Sequence, residues 1–297
     1  LSVSSVYAQS VKDLNELGLA YLKQNNFPAA VAEFNKAIDA DHNNFEAYSD
    51  RALAFIKLGN LTGAISDATQ AIEINPKFVP AYNNRGTAYI IQGRFADAIA
   101  DYSKAIEINP KTISAYSNRG RAYMSQGNLD AAIADYNKGI EMHPDVESLY
   151  VDRGIVHVKK GDLTDALADL NKAVAINPKD TIAYTVRGTI YYNQGNFIQA
   201  IADFSQDILI NPKDAESYMS RALTYLRGNR TNEAILDLSK VLEINPKDAR
   251  AYFNRAVGYY QLKQYDKSWA DIHKIQRLGG TVNPDFMTAL KNATGNK

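Results

Sequence analysis

The chain has 297 residues, 33 basic and 33 acidic side chains, no cysteine, and a hydrophobic fraction of 45%. Balanced charge excludes a whole-molecule field that would capture nucleic acid or an anionic membrane surface. No apolar run approaches the roughly 20 residues needed to cross a bilayer, and a thiol nucleophile is absent.

The first segment, Leu1–Ala8 (LSVSSVYA), is apolar and small and runs into Val6-Tyr7-Ala8-Gln9. It resembles the tail of a secretory signal peptide with its small-residue cleavage site. Read that way, the protein is exported to a bacterial periplasm or cell surface. Read as a lead into the first helix, the segment leaves the protein cytoplasmic. From Val11 the chain divides without insertion or deletion into eight units, 11–44, 45–78, 79–112, 113–146, 147–180, 181–214, 215–248 and 249–282. The period is marked by Pro76, Pro110, Pro144, Pro178, Pro212 and Pro246, spaced by 34 residues, five of them closing an Ile-Asn-Pro tripeptide. A fixed period of this length is the sign of a repeat architecture.

Each unit reads as two amphipathic helices, because its apolar residues recur at three- and four-residue steps. In the unit 79–112, Tyr82, Gly86 and Tyr89 line the first helix, and Ala98, Tyr102, Ala105 and Ile106 line the second. Gly93 is placed to close the first helix in a left-handed conformation. Asn109 and Pro110 close the second, since proline cannot continue a helix and restricts its predecessor. Gly86 and Ala98 carry almost no side chain, so the two helices can cross closely. Beyond the eighth unit the register restarts. Phe286 stands where the repeats have Tyr, and Leu290 where they have Gly or Ala. Asn283 and Pro284 suit a helix start, so residues 283–297 read as a C-terminal capping helix and tail.

The pattern Tyr-x-x-x-Gly-x-x-Tyr, then Gly, then Ala-x-x-x-Tyr/Phe-x-x-Ala, then Pro, resembles the tetratricopeptide repeat (TPR). The resemblance implies an all-α fold, a right-handed superhelical solenoid of antiparallel helix pairs, with 11–282 as a single solenoid stabilised by nearest-neighbour contacts. One departure from the family pattern is systematic. The seventh position, commonly Leu, is Arg in seven units (Arg51 to Arg255), and the twenty-third, commonly aromatic, is Asp in the same seven (Asp67 to Asp271). Paired replacement of apolar by opposite charges predicts ion pairs. The first unit has Leu17 and Glu33 at these positions, which favours pairing from one unit to the next: Glu33–Arg51, Asp67–Arg85, Asp101–Arg119 and onward. A catalytic carboxylate series is the disfavoured alternative.

No phosphate-cradling glycine loop and no cluster with metal-ligand spacing occurs in the sequence, and the four histidines are scattered. No catalytic residue, metal or cofactor is therefore assigned. In TPR proteins the first helices line a concave groove that holds partner peptides. Carried over position by position, the resemblance places Asn83, Asn84, Thr87, Ser117, Asn118 and Arg121 in an amide- and hydroxyl-rich middle. A primary amide offers both donor and acceptor to a peptide backbone, a part played by asparagine ladders in peptide-binding TPR proteins such as O-GlcNAc transferase. Toward the C-terminus the lining turns apolar: Val151, Ile155, Val186, Met219, Leu223, Phe253 and Val257, with Asn254 among them. The charged clamp by which chaperone adaptors hold an acidic C-terminal tail has no counterpart. The expectation is a non-catalytic scaffold, monomeric or weakly self-associating, that binds a protein or peptide partner, neither nucleic acid nor a membrane. The alternative is a module that self-assembles through its ends or groove.

Overall fold

The computed structural model describes the backbone of residues 3–295 and the side chains of residues 11–295. Leu1 and Ser2 of the leading segment lie outside the described residues, and from Val3 onward its backbone is helical. The chain falls into two compact units, Leu1–Lys160 and Gly161–Lys297. The first contains α1 (Val3–Lys23), α2 (Phe27–Ala40), α3 (Phe45–Lys57), α4 (Leu61–Ile74), α5 (Val79–Ile91), α6 (Phe95–Ile108), α7 (Ile113–Gln126), α8 (Leu129–Met142) and α9 (Glu147–Lys160). The second contains α10 (Leu163–Ile176), α11 (Thr181–Asn193), α12 (Phe197–Ile210), α13 (Ala215–Arg227), α14 (Thr231–Ile244), α15 (Ala249–Gln261), α16 (Tyr265–Arg277) and α17 (Pro284–Thr294). No strand occurs among the described residues. Within each unit, every helix packs on the next in sequence.

The punctuation of these helices follows from local chemistry. Gly93 lies at φ 74°, its N–H bonds to Ile90 O at 2.9 Å and the next N–H, from Arg94, reaches Tyr89 O at 2.8 Å. That double closure satisfies carbonyls the helix end leaves open. Asn26, Asn60 and Asn128 then start the following helices, each side-chain oxygen accepting from a backbone N–H three residues on. At the other end Asn109 turns extended and its Oδ1 accepts from Lys111 N at 3.1 Å, a side-chain turn that starts the link to the next pair. The proline carbonyl at this link is also used: Tyr82 and Tyr150 donate their hydroxyls to Pro76 O and Pro144 O at 3.1 and 3.2 Å.

The core is built from close approach. Ala98 and Ala132 are fully buried in α6 and α8. Gly86 faces the ring of Tyr102, and a Cβ there would stand 2.8 Å from it; Gly120 and Tyr136 repeat the relation at 2.9 Å. In seven of the eight repeats the two positions are complementary in size; Gly154 with Leu170 is the exception. Glycine meets a ring at Gly18–Phe34, Gly86–Tyr102, Gly120–Tyr136 and Gly188–Phe204. Where alanine stands instead, as Ala52, Ala222 and Ala256, the residue sixteen on is Ala68, Leu238 or Ile272. At the C-terminal end, α17 starts at Pro284 with Asn283 Oδ1 accepting from two backbone amides. It buries Leu290 completely and sets Phe286 edge-on to Phe253 and Tyr260 at 5.4 and 5.6 Å.

The ion pairs form, but the expected direction is wrong. In six repeats the arginine grips the aspartate of its own repeat, sixteen residues on. Arg119 Nε and Nη2 reach Asp135 Oδ2 and Oδ1 at 2.8 and 2.7 Å, and Arg51–Asp67, Arg85–Asp101, Arg187–Asp203, Arg221–Asp237 and Arg255–Asp271 repeat this two-pronged geometry. Glu33 pairs with Lys36 rather than Arg51. The reason is geometric: the seventh and twenty-third positions face one another across the antiparallel pair. What crosses between repeats is the remaining nitrogen, Nη1. Arg51 gives it to Asn35, Arg85 to Thr69, Arg119 to Ser103 and Arg221 to Ser205, each in the preceding repeat. The guanidinium also lies near a tyrosine ring of its own helix, 5.7 Å for Arg119 and Tyr116. Hydrogen bonds to the aspartate hold the Arg119 pKa above its ordinary value.

Candidate functional site

In the first unit α1, α3, α5, α7 and α9 lie side by side in sequence, each touching the next first helix, so their shared face is continuous. On α5, Asn83, Asn84 and Thr87 are half-buried. Asn84 Nδ2 donates to Ser49 O at 2.9 Å and lies 3.1 Å from Ser49 Oγ, which joins α5 to α3 and commits one end of this amide. Asn83 Nδ2 reaches Ser114 Oγ on α7 at 3.5 Å, while its buried Oδ1 has no partner. Thr87 donates to Asn83 O at 2.8 Å and stands 3.2 Å from the hydroxyl of Tyr102, whose pKa burial pushes up to about 12. The face at α5 is thus floored by a phenol from the helix behind it.

On α7, Ser117 and Asn118 are half-buried and Arg121 is exposed. Arg121 bridges to α9, with Nε and Nη2 at 3.0 and 2.9 Å from Asp152 Oδ2. On α9, Val151 is only 5% exposed and packs between helices, whereas Ile155 is half-buried.

The corresponding helices of the second unit are more apolar. Val186 on α11, Leu223 on α13 and Val257 on α15 are half-buried. Met219 is 4% exposed and belongs to the core formed with Leu238 and Val241, so like Val151 it has little surface to offer. Phe253 is half-covered by Phe286 of α17. Asn254 Nδ2 points back to Met219 Sδ at 3.7 Å, the same 35-residue step that Asn84 makes to Ser49.

Two features were not singled out from the sequence. Asp207 is 2% exposed where the other repeats carry Ala, Gly, Val or Ile; its Oδ2 accepts from Thr185 Oγ1 at 2.6 Å and Ser217 Oγ at 2.8 Å. The legible signal was double: Ser217 also replaces an alanine found in most repeats. The second lies at α1 and α3. Asn15 is 9% exposed and its Oδ1 has no partner, and the half-buried carboxylate of Asp50 is pushed up to about 6, first by burial and then by the charge of Glu46. Among the described residues no three metal-ligating side chains gather, and no helix is long and apolar enough to cross a membrane.

Family models for the tetratricopeptide repeat match residues 15–78, 68–100, 113–146 and 182–214, and a further TPR repeat model matches 86–127, 154–195 and 223–263. Together they span most of the chain. No curated protein matches at the sequence level. Among solved structures, YrrB, described as a TPR protein with an unusual peptide-binding site, is 26% identical over 62% of this chain and 95% of its own, with a TM-score of 0.50. A tetratricopeptide repeat protein from Parabacteroides merdae is 23% identical over 85% of this chain and 99% of its own, with a TM-score of 0.58. A chain of the APC/C hetero-tetramer Cut9–Hcn1 is 19% identical over 90% of this chain and 52% of its own, also at 0.58.

Proposed function

Because the chain belongs to the tetratricopeptide repeat family, we propose that it is a non-catalytic scaffold that holds a peptide segment of a partner protein along its first helices. Scaffolding of protein–protein contacts is the general role of such repeats. The observation that carries the reading is the lining of α5 and α7. Its polar groups are half-buried yet retain capacity, most plainly the unpartnered Asn83 Oδ1. A buried amide oxygen left without a donor is costly, and a peptide N–H lying along the face would satisfy it. The peptide-binding description of YrrB supports the same use of the fold. Ile155 supplies an apolar neighbour for a side chain of the bound segment.

The test is selection from a displayed random peptide library with the full chain, followed by binding measurements on the selected peptides. Asn118→Ala combined with Ile155→Ser should weaken binding about tenfold or more while leaving helix content unchanged. Equal binding by that variant would discard α7 and α9 as the contact surface. Self-assembly is a second reading, favoured by Ile198 and Leu209 on α12, which are 84% and 72% exposed. Light scattering across a concentration series tests it, and a constant monomer mass at high concentration would exclude it.

A further inference from the structure

On the first-helix face two polar contacts run at a stride of one repeat plus one residue, and two buried amide oxygens, Asn83 Oδ1 and Asn15 Oδ1, are left without a donor. Thirty-five residues separate Asn84 from Ser49 and Asn254 from Met219, and in both pairs an amide donates backward to the preceding repeat. Asn15 and Asp50 occupy the same two positions one repeat earlier. There both groups can act as acceptors. Asn15 Oδ1 is buried without a donor, and the Asp50 carboxylate has neither a hydrogen bond nor an ion pair among the described residues.

The chain shows what such a carboxylate requires. Asp152 stands at the position of Asp50 three repeats later, and it is met by the Arg121 guanidinium at 2.9 Å. In the repeat register the residue related to Asp50 as Arg121 is to Asp152 is Leu19, which is exposed. By register an apolar residue takes the place of the counter-ion's stem, and no counter-ion meets Asp50 among the described residues. Glu46 on α3 adds negative charge. The neighbouring Lys12 is paired with Glu16 at 3.7 Å on the exposed side of α1.

We infer that this end of the face binds a lysine or arginine side chain of the partner peptide, its charged head between Asp50 and Asn15 Oδ1 and its methylenes along Leu19. The inference rests on the peptide-binding reading and adds to it a chemical class of ligand and a place. A cationic head donates to both orphan acceptors at once, and charge-assisted bonds of this kind are the stronger ones. Long basic side chains are also suited to laying their stems on apolar surface.

Three full-length chains test it against one displayed random dodecapeptide library: the wild type, Asp50→Asn and Leu19→Arg. Wild-type selection should enrich Lys or Arg at one fixed register about tenfold, the equivalent of one useful ion pair. Asp50→Asn should still select peptides but lose that enrichment. Leu19→Arg, which supplies the missing guanidinium from within, should lose it too. Peptides selected without basic enrichment, or the same enrichment in all three chains, would overturn the cation site while the peptide-binding reading stands. Selection of no peptide by any chain would overturn both. A second measurement needs no library. Titration of the wild type with N-acetyl-arginine methylamide should shift the Asn15 side-chain and Asp50 carboxyl NMR signals, and N-acetyl-norvaline methylamide should not. An Asn15 amide already bonded to Asp50, with neither signal moving, would refute the inference, since the site would then be satisfied internally.

Discussion

Arg119 and Asp135 offer the sharpest test of what holds a helix pair together here. The guanidinium is 19% exposed and the carboxylate 7%, with two near-parallel contacts of 2.7 and 2.8 Å. Arg119→Leu leaves Asp135 almost dry and uncompensated, which by analogy with broken buried pairs costs about 3–5 kcal/mol. Asp135→Leu should cost less, about 2–3 kcal/mol, because the arginine keeps Ser103 at 2.9 Å and the Tyr116 ring, and reaches more water. The double variant removes both orphaned charges, so its loss should be well below the sum, with a coupling of about 2 kcal/mol or more. Arg119→Leu with Asp101→Leu is the control. Asp101 belongs to Arg85, so those two losses should add to within about 0.5 kcal/mol. Urea unfolding followed by circular dichroism gives the totals. Repeat arrays can unfold in parts, so hydrogen exchange of α7 and α8 provides the local reading. Additive losses for Arg119 and Asp135, or stronger coupling of Arg119 to Asp101 than to Asp135, would refute pairing within the repeat.

Three further outcomes follow from particular contacts. Gly86→Ala puts a methyl group 2.8 Å from the Tyr102 ring and should cost about 1–3 kcal/mol; with Tyr102→Leu already present the same change should cost almost nothing, and equal costs in denaturant melts would disprove the size relation. Asp50 titrates near 3.8 unfolded and about 6 folded, so the folded state takes up a proton between these values and stability from this group falls as pH rises through that window. The loss is about 1–3 kcal/mol; Asp50→Asn should match the wild type near pH 4 and exceed it above pH 6, and a constant difference across that range would contradict the sign. Lys263 holds a left-handed φ of 58° where five other repeats have glycine, so Lys263→Gly should raise the urea midpoint by the equivalent of about 1 kcal/mol, and a lowered midpoint would refute it.

Much of this architecture was legible because a repeat states the same rule several times. Gly93 as the turn, Asn109 with Pro110 as the stop and Gly86 as the crossing point could be read from their recurrence, and each does that work in the fold. The ion-pair direction was misread because it was inferred from the one repeat that lacks the pair. Leu17 and Glu33 are not a displaced pair; Glu33 simply takes Lys36 along its own helix. A linear sequence shows that positions seven and twenty-three vary together, but not that the turn between helices brings them face to face. The connection to the preceding repeat existed in another atom, Nη1, which finds Ser, Thr or Asn acceptors that carry no charge signal.

The candidate site was legible to the level of position and no further, for a related reason. Position five was read as groove lining at Asn83, Ser117, Val151, Met219 and Phe253, yet Val151 and Met219 are buried, as is Asn15 at the same position, because this residue sits under its neighbour's sixth-position side chain. Whether such a place is satisfied depends on the residue one repeat away. Asn84 above Ser49 is a closed contact; Asp50 above Asn15 is open, because Leu19 stands where Arg121 stands three repeats later. The regular residues are therefore spent on holding helix to helix, and binding capacity collects where two neighbouring repeats depart from the pattern together. By that argument Asp50 with Leu19 is a stronger candidate for recognition than any asparagine of the amide-rich middle. Replacing Leu19 by arginine should close it by the same chemistry that Arg121 already uses on Asp152.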